Sequence, residues 1–426
     1  MKEFLVEYNS ENYVQQVSIF RLQSEDANPA NKEYDQFLMN DMINSIEIIS
    51  DVMLPLLTGK LKYTDVGSKF IHKVIPDSRS FCRISIVKTD KNKIESKFEH
   101  LFIVRDVKLL SKETSTYELD LISHYWFNFN NLVNYTTMNN NEPLASKPFT
   151  TIIYEMMKKG NISTKKPDLQ TTLNMQYSTT ANYSLLKSVN DIIQNYDPSV
   201  GLLFLRYNLV NDQYEIVSTK KLFKDLDVTL DNQLIFPTRN TTGDNRRMIE
   251  DTKLGNDIGF HNMVNYTAPQ TIKSFSYDKR EWKDITWNRK NISSMFYTPL
   301  KDYLIKFKTV PNFVPSEVRK VTYENLDLNF INSDQLRQIL ISSETLQGST
   351  NGILERMAGD LSVLLTDSLK DDTMAERVFG TWFIGRVFHK FGKQTYKNVI
   401  QMSRVDYFGQ IGKDIESNND NRGRNV

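Results

Sequence analysis

The sequence predicts a mainly β protein with α-helical insertions (α+β), in which two β domains are separated by helical and mixed segments. Three observations carry this prediction: alternating polar and apolar runs before residue 135, helical patterns between residues 136 and 200, and a return of alternation after residue 200. Side chains repeat every two residues in a strand and about every 3.6 in a helix, so periodicity distinguishes these regions. At 426 residues, the chain is long enough for two or three domains.

Residues 1–135 are predicted to form the first β domain. Its strands are predicted at residues 45–50, 58–64, 80–88, 99–110 and 115–123. The last two flank a turn-like segment and predict a hairpin. Several strands must close on themselves or be covered, because open edges invite pairing with other chains. A small barrel or sandwich is therefore expected.

Residues 136–200 are predicted to be a helical insertion. A polar, Asn-rich loop leads into a helix over 148–159, which begins with Pro148 and ends before Gly160. A second helix is predicted over 182–196. Its apolar stripe is expected to pack on the first β domain and consists of Leu185, Leu186, Val189, Ile192 and Ile193.

Residues 201–235 together with 376–412 are predicted to form the second β domain, which contains two hairpins. The hairpin strands are predicted at residues 202–207, 214–218, 380–389 and 395–404. Residues 236–375 are predicted to be a mixed insertion, with a strand at 303–309 and helices at 333–346 and 351–369. The polar tail, residues 413–426, is expected to be disordered.

The overall charge and the cysteine content exclude several classes of protein. Lys and Arg number 53 and Asp and Glu 52, a net charge of +1, whereas dedicated nucleic-acid or anionic-membrane binders carry a basic excess. A single cysteine, Cys82, cannot form an internal disulfide or a cysteine zinc site. No apolar run reaches the roughly 18 residues of a membrane helix, and Glu3 and Glu7 interrupt any signal-peptide core. We expect a soluble protein, made in the cytoplasm, without stable membrane association.

The sequence offers no recognisable catalytic, cofactor-binding or metal-binding pattern. The histidines are too far apart in sequence for an HExxH or HxH metal pair: His72, His100, His124, His261 and His389. Phosphate-binding loops and nucleophile elbows are also absent from the sequence. Cys82 lies on the apolar face of its predicted strand, which favours a buried, inert thiol. We therefore predict no cofactor and no enzymatic activity.

One segment, residues 277–290, combines basic and aromatic side chains. Arg280, Trp282 and Trp287 lie within it, and such a combination suits stacking on single-stranded nucleic acid. Three acidic residues in the same segment halve its positive charge. Because Trp and Arg are preferred anchors of protein interfaces, a protein interface is favoured over nucleic acid.

Three stretches of the chain carry a resemblance to a known family. Residues 44–65 contain the pattern D-x-x-x-P-x-L-x-G, followed by an acidic residue, and residues 178–223 run from a helix into a strand. Residues 379–404 fit G-x-W-x-x-x-x-V-x-H, followed by Tyr and Arg. The matching positions include Asp51, Pro55, Leu57, Gly59, Asp65, Gly380, Trp382, Val387, His389, Tyr396 and Arg404. The chain thus resembles the central baseplate hubs of T4-like contractile-tailed phages and the hub part of type VI secretion spike proteins.

The resemblance implies a structural role in the virion. It implies two tail-tube-like β-barrels with a helical and mixed collar, so that three chains form a pseudo-hexameric ring. Such a ring joins a six-fold tail tube to a three-fold spike, with residues 236–375 on its spike-facing side, and lets DNA pass. The partners implied are the tail tube protein, the central spike protein, and possible contacts with the tape-measure protein and the baseplate wedge. Gly59 and Gly380 would serve strand entries, Trp382 core packing, and His389 either packing or a subunit contact.

Two alternative functions stay open at this stage. A hexameric tube initiator or distal tail ring would use the same barrel and would contain six subunits instead of three. A cell-wall hydrolase would require a pair of carboxylates with perturbed pKa values in a cleft. Residues 225–375 match no known motif, so this part of the sequence does not distinguish the hub from these two alternatives.

Overall fold

The computed structural model describes residues 5–9, 11–21, 37–67, 80–90, 93–131, 147–167, 174–175, 183–194, 202–224, 232–237, 247–255, 270–276, 281–287, 317–322, 344–366 and 378–404. The first part contains β1 (Leu5–Tyr8), β2 (Glu11–Arg21), β3 (Phe37–Leu38), a short 3-10 helix (Asn40–Met42), β4 (Ile43–Asp51), β5 (Thr58–Thr64), β6 (Ser80–Asp90), β7 (Lys93–Ser111) and β8 (Thr116–Ser123). The middle part contains α1 (Tyr125–Asn130), β9 (Lys147–Pro148), α2 (Phe149–Lys159), β10 (Asn174–Met175), α3 (Leu185–Gln194), β11 (Leu203–Asn208), β12 (Gln213–Ser218) and α4 (Thr219–Lys224). The last part contains β13 (Gln233–Phe236), β14 (Glu250–Gly255), β15 (Gln270–Ser276), β16 (Glu281–Trp287), β17 (Glu317–Thr322), β18 (Glu344–Asn351), β19 (Leu361–Thr366), β20 (Gly380–Phe391) and β21 (Tyr396–Arg404).

One large sheet connects strands from both ends of the chain. Its strands follow the order β1–β2–β6–β7–β8–β5–β4–β20–β21–β18–β14, while β19 pairs with β20 and with β13. The antiparallel pair β4–β20 joins the N-terminal strands to the C-terminal ones, from Ile46 opposite Phe391 to Asp51 opposite Arg386. The predicted class, mainly β with helical insertions, is confirmed.

The strands predicted before residue 135 are present. β5 has the predicted bounds, and β7 and β8 form the predicted hairpin. In β6, Cys82, Ile84 and Ile86 are fully buried on one face because their side chains alternate with the polar ones. The hairpins β11–β12 and β20–β21 are also present.

In the described part of the chain, two large hydrophobic cores lie along the large sheet, and a third, small cluster consists of Phe20, Phe81 and Ile103. Representative buried residues of the first core, which also receives side chains from α1, α2, α3 and the β11–β12 hairpin, are Val17, Ile46, Leu61, Ile84, Phe102, Leu119, Phe129, Ile152, Val189, Leu205 and Tyr214. The second core consists of Leu234, Phe236, Ile249, Leu346, Leu364, Val378, Trp382, Ile384, Val387, Ile400 and Met402. β14, β18 and β19, which fall in the predicted mixed insertion, thus share a sheet with β20 and β21. The exact division of the chain into domains stays a prediction.

The two predicted helices pack against the first core. Ile152 and Met156 of α2 and Val189 and Ile192 of α3 are completely buried there. Their spacing places them on one side of each helix, which is the geometry of an amphipathic helix lying on a core. α2 ends where predicted, at Gly160.

The prediction of a helix over residues 351–369 is wrong. Residues 352–360 form turns, and Leu361–Thr366 is the strand β19. Gly359 adopts φ of +88°, a left-handed conformation that ends any helix through this position. The run from Leu361 is short and almost entirely apolar, and such a run has no periodicity to separate a buried strand from a buried helix.

The helix predicted over 333–346 is wrong at its C-terminal end, because β18 begins at Glu344. Residues 333–343, the predicted strand 303–309 and the predicted tail 413–426 lie outside the described residues. In the described part of the chain, every helix is too short or too polar to cross a membrane.

Candidate functional site

The motif at residues 51–59 forms a turn that is tied to the C-terminal half of the chain. The Asp51 carboxylate accepts a hydrogen bond from Arg386 Nε at 2.6 Å and another from the backbone N–H of Met53 at 2.8 Å. Pro55 is buried within the same turn. Because β4 and β20 are adjacent strands, the Asp51–Arg386 ion pair holds the turn at the place where the N-terminal and C-terminal strands of the sheet meet.

Two further motif positions lie where strands approach closely. A Cβ atom at Gly59 would lie 2.9 Å from the Glu47 carbonyl oxygen, so a larger residue would force β4 and β5 apart. Asp65 follows β5 and is fully buried, and its backbone N–H donates to the Ser115 carbonyl oxygen at 2.9 Å. Gly59 therefore allows β4 and β5 to approach closely, and Asp65 connects the end of β5 to the segment before β8.

Gly380 and Trp382 begin the closing hairpin inside the second core. Gly380 has φ of +114°, which a residue with a side chain rarely adopts. The Trp382 ring is fully buried, and its Nε1–H donates to the Val378 carbonyl oxygen at 2.7 Å. The Arg404 guanidinium lies 4.2 Å from the ring centroid. The indole thus has its polar atom satisfied and its face covered by a cation.

His389 and Tyr396 belong to a buried polar network. The Asn398 side-chain oxygen accepts hydrogen bonds from the Ile353 N–H at 2.8 Å and from Arg356 Nη1 at 3.0 Å. This fixes the amide so that its Nδ2 donates to His389 Nδ1 at 3.0 Å. The Tyr396 hydroxyl also lies 2.8 Å from His389 Nδ1. Since Nδ1 accepts, the imidazole is neutral and its proton is on Nε2.

The surroundings of His389 keep it neutral. Burial lowers the pKa of its imidazole to about 3, and the positive charge of Arg356 acts in the same direction. His389 is therefore a buried structural residue of the hairpin, where it contacts Tyr396 and Asn398.

A buried ionic cluster joins the β11–β12 hairpin to the C-terminal strands. The Arg206 guanidinium donates to Glu215 through Nε at 3.2 Å and Nη2 at 3.0 Å, and it also pairs with Asp360. Burial lowers the pKa of Arg206, but the two carboxylates outweigh this effect and raise it. Asp360 in turn follows Gly359, whose N–H donates to the Ile384 carbonyl oxygen at 2.7 Å.

One cluster has the connectivity of a Ser-His-Asp catalytic triad. His100 Nε2 lies 2.8 Å from Ser123 Oγ, and His100 Nδ1 lies 3.2 Å from Asp212 Oδ1 and 2.7 Å from the Tyr207 hydroxyl. However, Ser123 is completely buried, and its Oγ accepts the Tyr125 N–H. A substrate carbonyl cannot reach this hydroxyl, so the cluster holds the β11–β12 hairpin against β7 and β8.

Neither the Cys82 thiol nor the potential metal ligands among the described residues form a reactive site. Burial raises the pKa of the Cys82 thiol well above its usual range, which leaves it protonated and unreactive. Among the described residues, no three or more His, Cys, Asp or Glu side chains are grouped closely enough to bind a metal ion. Sequence reasoning missed the triad-like cluster because its members lie far apart in the chain.

The residues predicted for an interface are only partly described. Trp282 lies near the start of β16 and is 56% exposed, as an interface anchor would be before assembly. Trp287 ends the same strand. Arg280 lies outside the described residues.

Several other large apolar side chains are exposed. They are Met53 and Leu54 in the 51–59 turn, Val66, Leu109 and Leu110 near the ends of β5 and β7, Ile94 near the start of β7, and Trp126 and Phe127 in α1. The exposed fraction of Val66 reaches 78%. Three neighbouring pairs, Met53 with Leu54, Leu109 with Leu110 and Trp126 with Phe127, are candidates for contacts with other proteins.

One face of the large sheet carries a row of charges, here termed the charged sheet face. It comprises Glu47, Lys60, Lys62, Arg105, Glu118, Asp120 and Lys390. Lys60 lies opposite Glu47 on β4 and Asp120 on β8. Ion pairs span neighbouring strands, with Lys390 and Glu47 3.2 Å apart and Lys62 and Glu118 3.4 Å apart. Opposite signs thus alternate from β20 through β4 and β5 to β8, whereas Asp106 on β7 lies opposite Asp120.

Several solved structures resemble the chain over nearly its full length. A tail protein from Neisseria meningitidis MC58 has a TM-score of 0.55 at 11% identity, covering 92% of this chain and 96% of that one. The chain has the fold of a tail protein. The 43 kDa tail protein of prophage MuSo2 from Shewanella oneidensis has a TM-score of 0.51 at 10% identity, covering 92% of this chain and 98% of that one.

The similarity to tail proteins is detected in the structure and not in the sequence. No protein-family model matches the chain, and no curated protein matches it in sequence. The predicted relation to phage tail proteins is confirmed at the level of the fold.

Proposed function

We propose that this chain is a non-enzymatic structural protein of a phage tail, namely a baseplate hub. Three copies would form a pseudo-hexameric ring that joins a six-fold tail tube to a three-fold spike. The fold shared with two tail proteins supports the general assignment. The presence of two hydrophobic cores along one continuous sheet supports the specific one.

The two cores suggest how one chain can serve two symmetries. β1, β2 and β4–β8 cover the first core, whereas β13, β14 and β18–β21 surround the second. The β4–β20 pair joins them, and Phe391 and Tyr396 at the turn of the β20–β21 hairpin reach the first core. A chain with two similar β units offers two similar surfaces. Three such chains then present six surfaces toward a tube while keeping three-fold symmetry toward a spike.

The charged sheet face is the surface that we assign to the DNA passage. Its alternating signs, as in the pairs Lys390–Glu47 and Arg105–Asp120, leave little net positive potential. A basic surface would retain the phosphate backbone by releasing its counterions, whereas a balanced one lets it slide past.

The exposed apolar residues are assigned to contacts with other virion proteins. Met53, Leu54, Trp126, Phe127 and Trp282 are large and exposed. In the assembled tail, we assign them to contacts with the tail tube, the central spike, the tape-measure protein or the baseplate wedge. The protein would thus reside in the virion and have no stable membrane association.

The mass of the purified chain in solution tests this proposal. Light scattering should show three copies of the 49.7 kDa chain, either alone or in a complex with the candidate spike protein. Six copies would favour a tube initiator or distal ring. A chain that remains monomeric with the spike would contradict the hub role, and clearing of peptidoglycan on a zymogram would favour a cell-wall hydrolase.

A further inference from the structure

We propose that a basic groove beside β12 binds an acidic, partly apolar segment of a partner protein. The groove has a volume of about 270 Å³ and lies between residues 165–167, β12 and α4. Its lining combines basic, apolar and polar residues: Lys165, Lys166, Pro167, Arg206, Glu215, Ile216, Val217, Ser218, Lys221 and Leu222. This inference goes beyond the hub role and does not depend on the number of subunits.

The groove concentrates positive charge in a chain that is otherwise balanced. Four of its lining residues are cationic and one is a carboxylate, whereas the whole chain carries a net charge of only +1. Arg206 at the base is already paired with Glu215 and Asp360. The attraction for an anionic ligand therefore comes from the rim, where Lys165 and Lys166 are exposed to solvent.

The rim is held in place before any ligand binds. The Lys165 N–H donates to the Tyr214 carbonyl oxygen at 2.8 Å, and the Tyr214 N–H donates to the Ser163 carbonyl oxygen at 2.8 Å. Thr164 thus forms an isolated parallel bridge with Tyr214 of β12, which fixes the backbone of Lys165 at the edge of the groove. A preformed site loses less conformational entropy on binding than a flexible one.

The apolar part of the lining favours a polypeptide over nucleic acid. Pro167, Ile216, Val217 and Leu222 line the groove together with the cationic residues. An acidic peptide with leucine-like side chains can place carboxylates on the lysines and apolar groups between them. Nucleic acid is instead held by an extended basic track that follows many phosphates, which a groove of about 270 Å³ does not provide.

Fluorescence anisotropy with the full chain tests the proposal. The probe is a short fluorescein-labelled peptide of alternating glutamate, leucine and serine, with a lysine-for-glutamate peptide and a short oligothymidine as comparisons. The test variant is K165E/K166E, and the matched control is K112E/K393E, which makes the same charge change at two exposed turn lysines.

We expect salt-sensitive binding of the acidic peptide that weakens by about tenfold or more in K165E/K166E and stays within about twofold in K112E/K393E. No binding of the acidic peptide, or equal weakening in both variants, would overturn the assignment. Tighter binding of oligothymidine than of the peptide, lost in K165E/K166E, would overturn it in favour of nucleic acid.

Discussion

The buried imidazole of His389 makes the folded protein sensitive to acid. Its pKa is about 3 in the folded chain and about 6.5 in an unfolded chain. Between these values the unfolded state binds more protons than the folded state. The free energy of unfolding therefore falls as the pH decreases through this window, by up to about 1.4 kcal/mol per pH unit from this residue.

Denaturant unfolding at several pH values checks this prediction. We expect His389→Gln to be less stable than the native chain near neutral pH, but to lose stability less steeply between about pH 6.5 and pH 3. Equal slopes for both proteins would contradict the prediction. An NMR titration of the native chain gives a second check, since the His389 ring should remain neutral at pH 5.

At the scale of elements, the β11–β12 hairpin depends on a buried ionic cluster. Arg206 is surrounded by Glu215 and Asp360, and the side chain of Glu215 is only 9% exposed. Arg206→Met would leave both carboxylates without their cation. We expect a loss of about 3 kcal/mol in the free energy of unfolding, because an uncompensated charge is left buried.

A surface ion pair provides the matched control for this change. Lys397 and Glu250 pair at 3.1 Å with both side chains largely exposed. Lys397→Met should cost no more than about 1 kcal/mol. Hydrogen exchange should also show faster exchange in β11 and β12 of Arg206→Met; similar losses of stability for both variants would refute the special role of the cluster.

At the scale of the whole molecule, the proposed DNA passage depends on the balance of charges on the charged sheet face. Glu47 and Asp120 flank Lys60 on the charged sheet face. Reversing both carboxylates in Glu47→Lys/Asp120→Lys would create a continuous basic row with Lys60 and Lys390. We expect this variant to bind double-stranded DNA, with an affinity that falls steeply as salt is added.

The control for this experiment reverses two exposed carboxylates elsewhere. Glu113→Lys/Glu355→Lys changes the net charge by the same amount but leaves the charged sheet face intact. In an electrophoretic shift assay, the native chain and the control should bind DNA at least about tenfold more weakly than the face variant. Equal binding by both variants would show that net charge, and not this face, controls contact with DNA.

Local patterns in the sequence determined nine of the described strands, namely β4–β8, β11, β12, β20 and β21, and both long helices. The alternation in β5 and β6 and the stripe in α3 each reflect which side chains must leave water, and this information is contained in a few consecutive residues. The prediction failed for β19 because its run from Leu361 is apolar on both faces and therefore lacks the alternation that marks a half-buried strand.

The sequence by itself thus determined the mainly β class, the balance of charge and the motif positions that suggested a tail hub. The tertiary structure alone decided that β4 pairs with β20, that two cores share one sheet, and that His100 meets Ser123 and Asp212. It also decided that Lys165 and Lys221 line one groove. The physical reason is that these features depend on contacts between residues that are distant in the chain. Such long-range pairing is set by the packing of the whole chain, and the periodicity of a short segment contains no information about it.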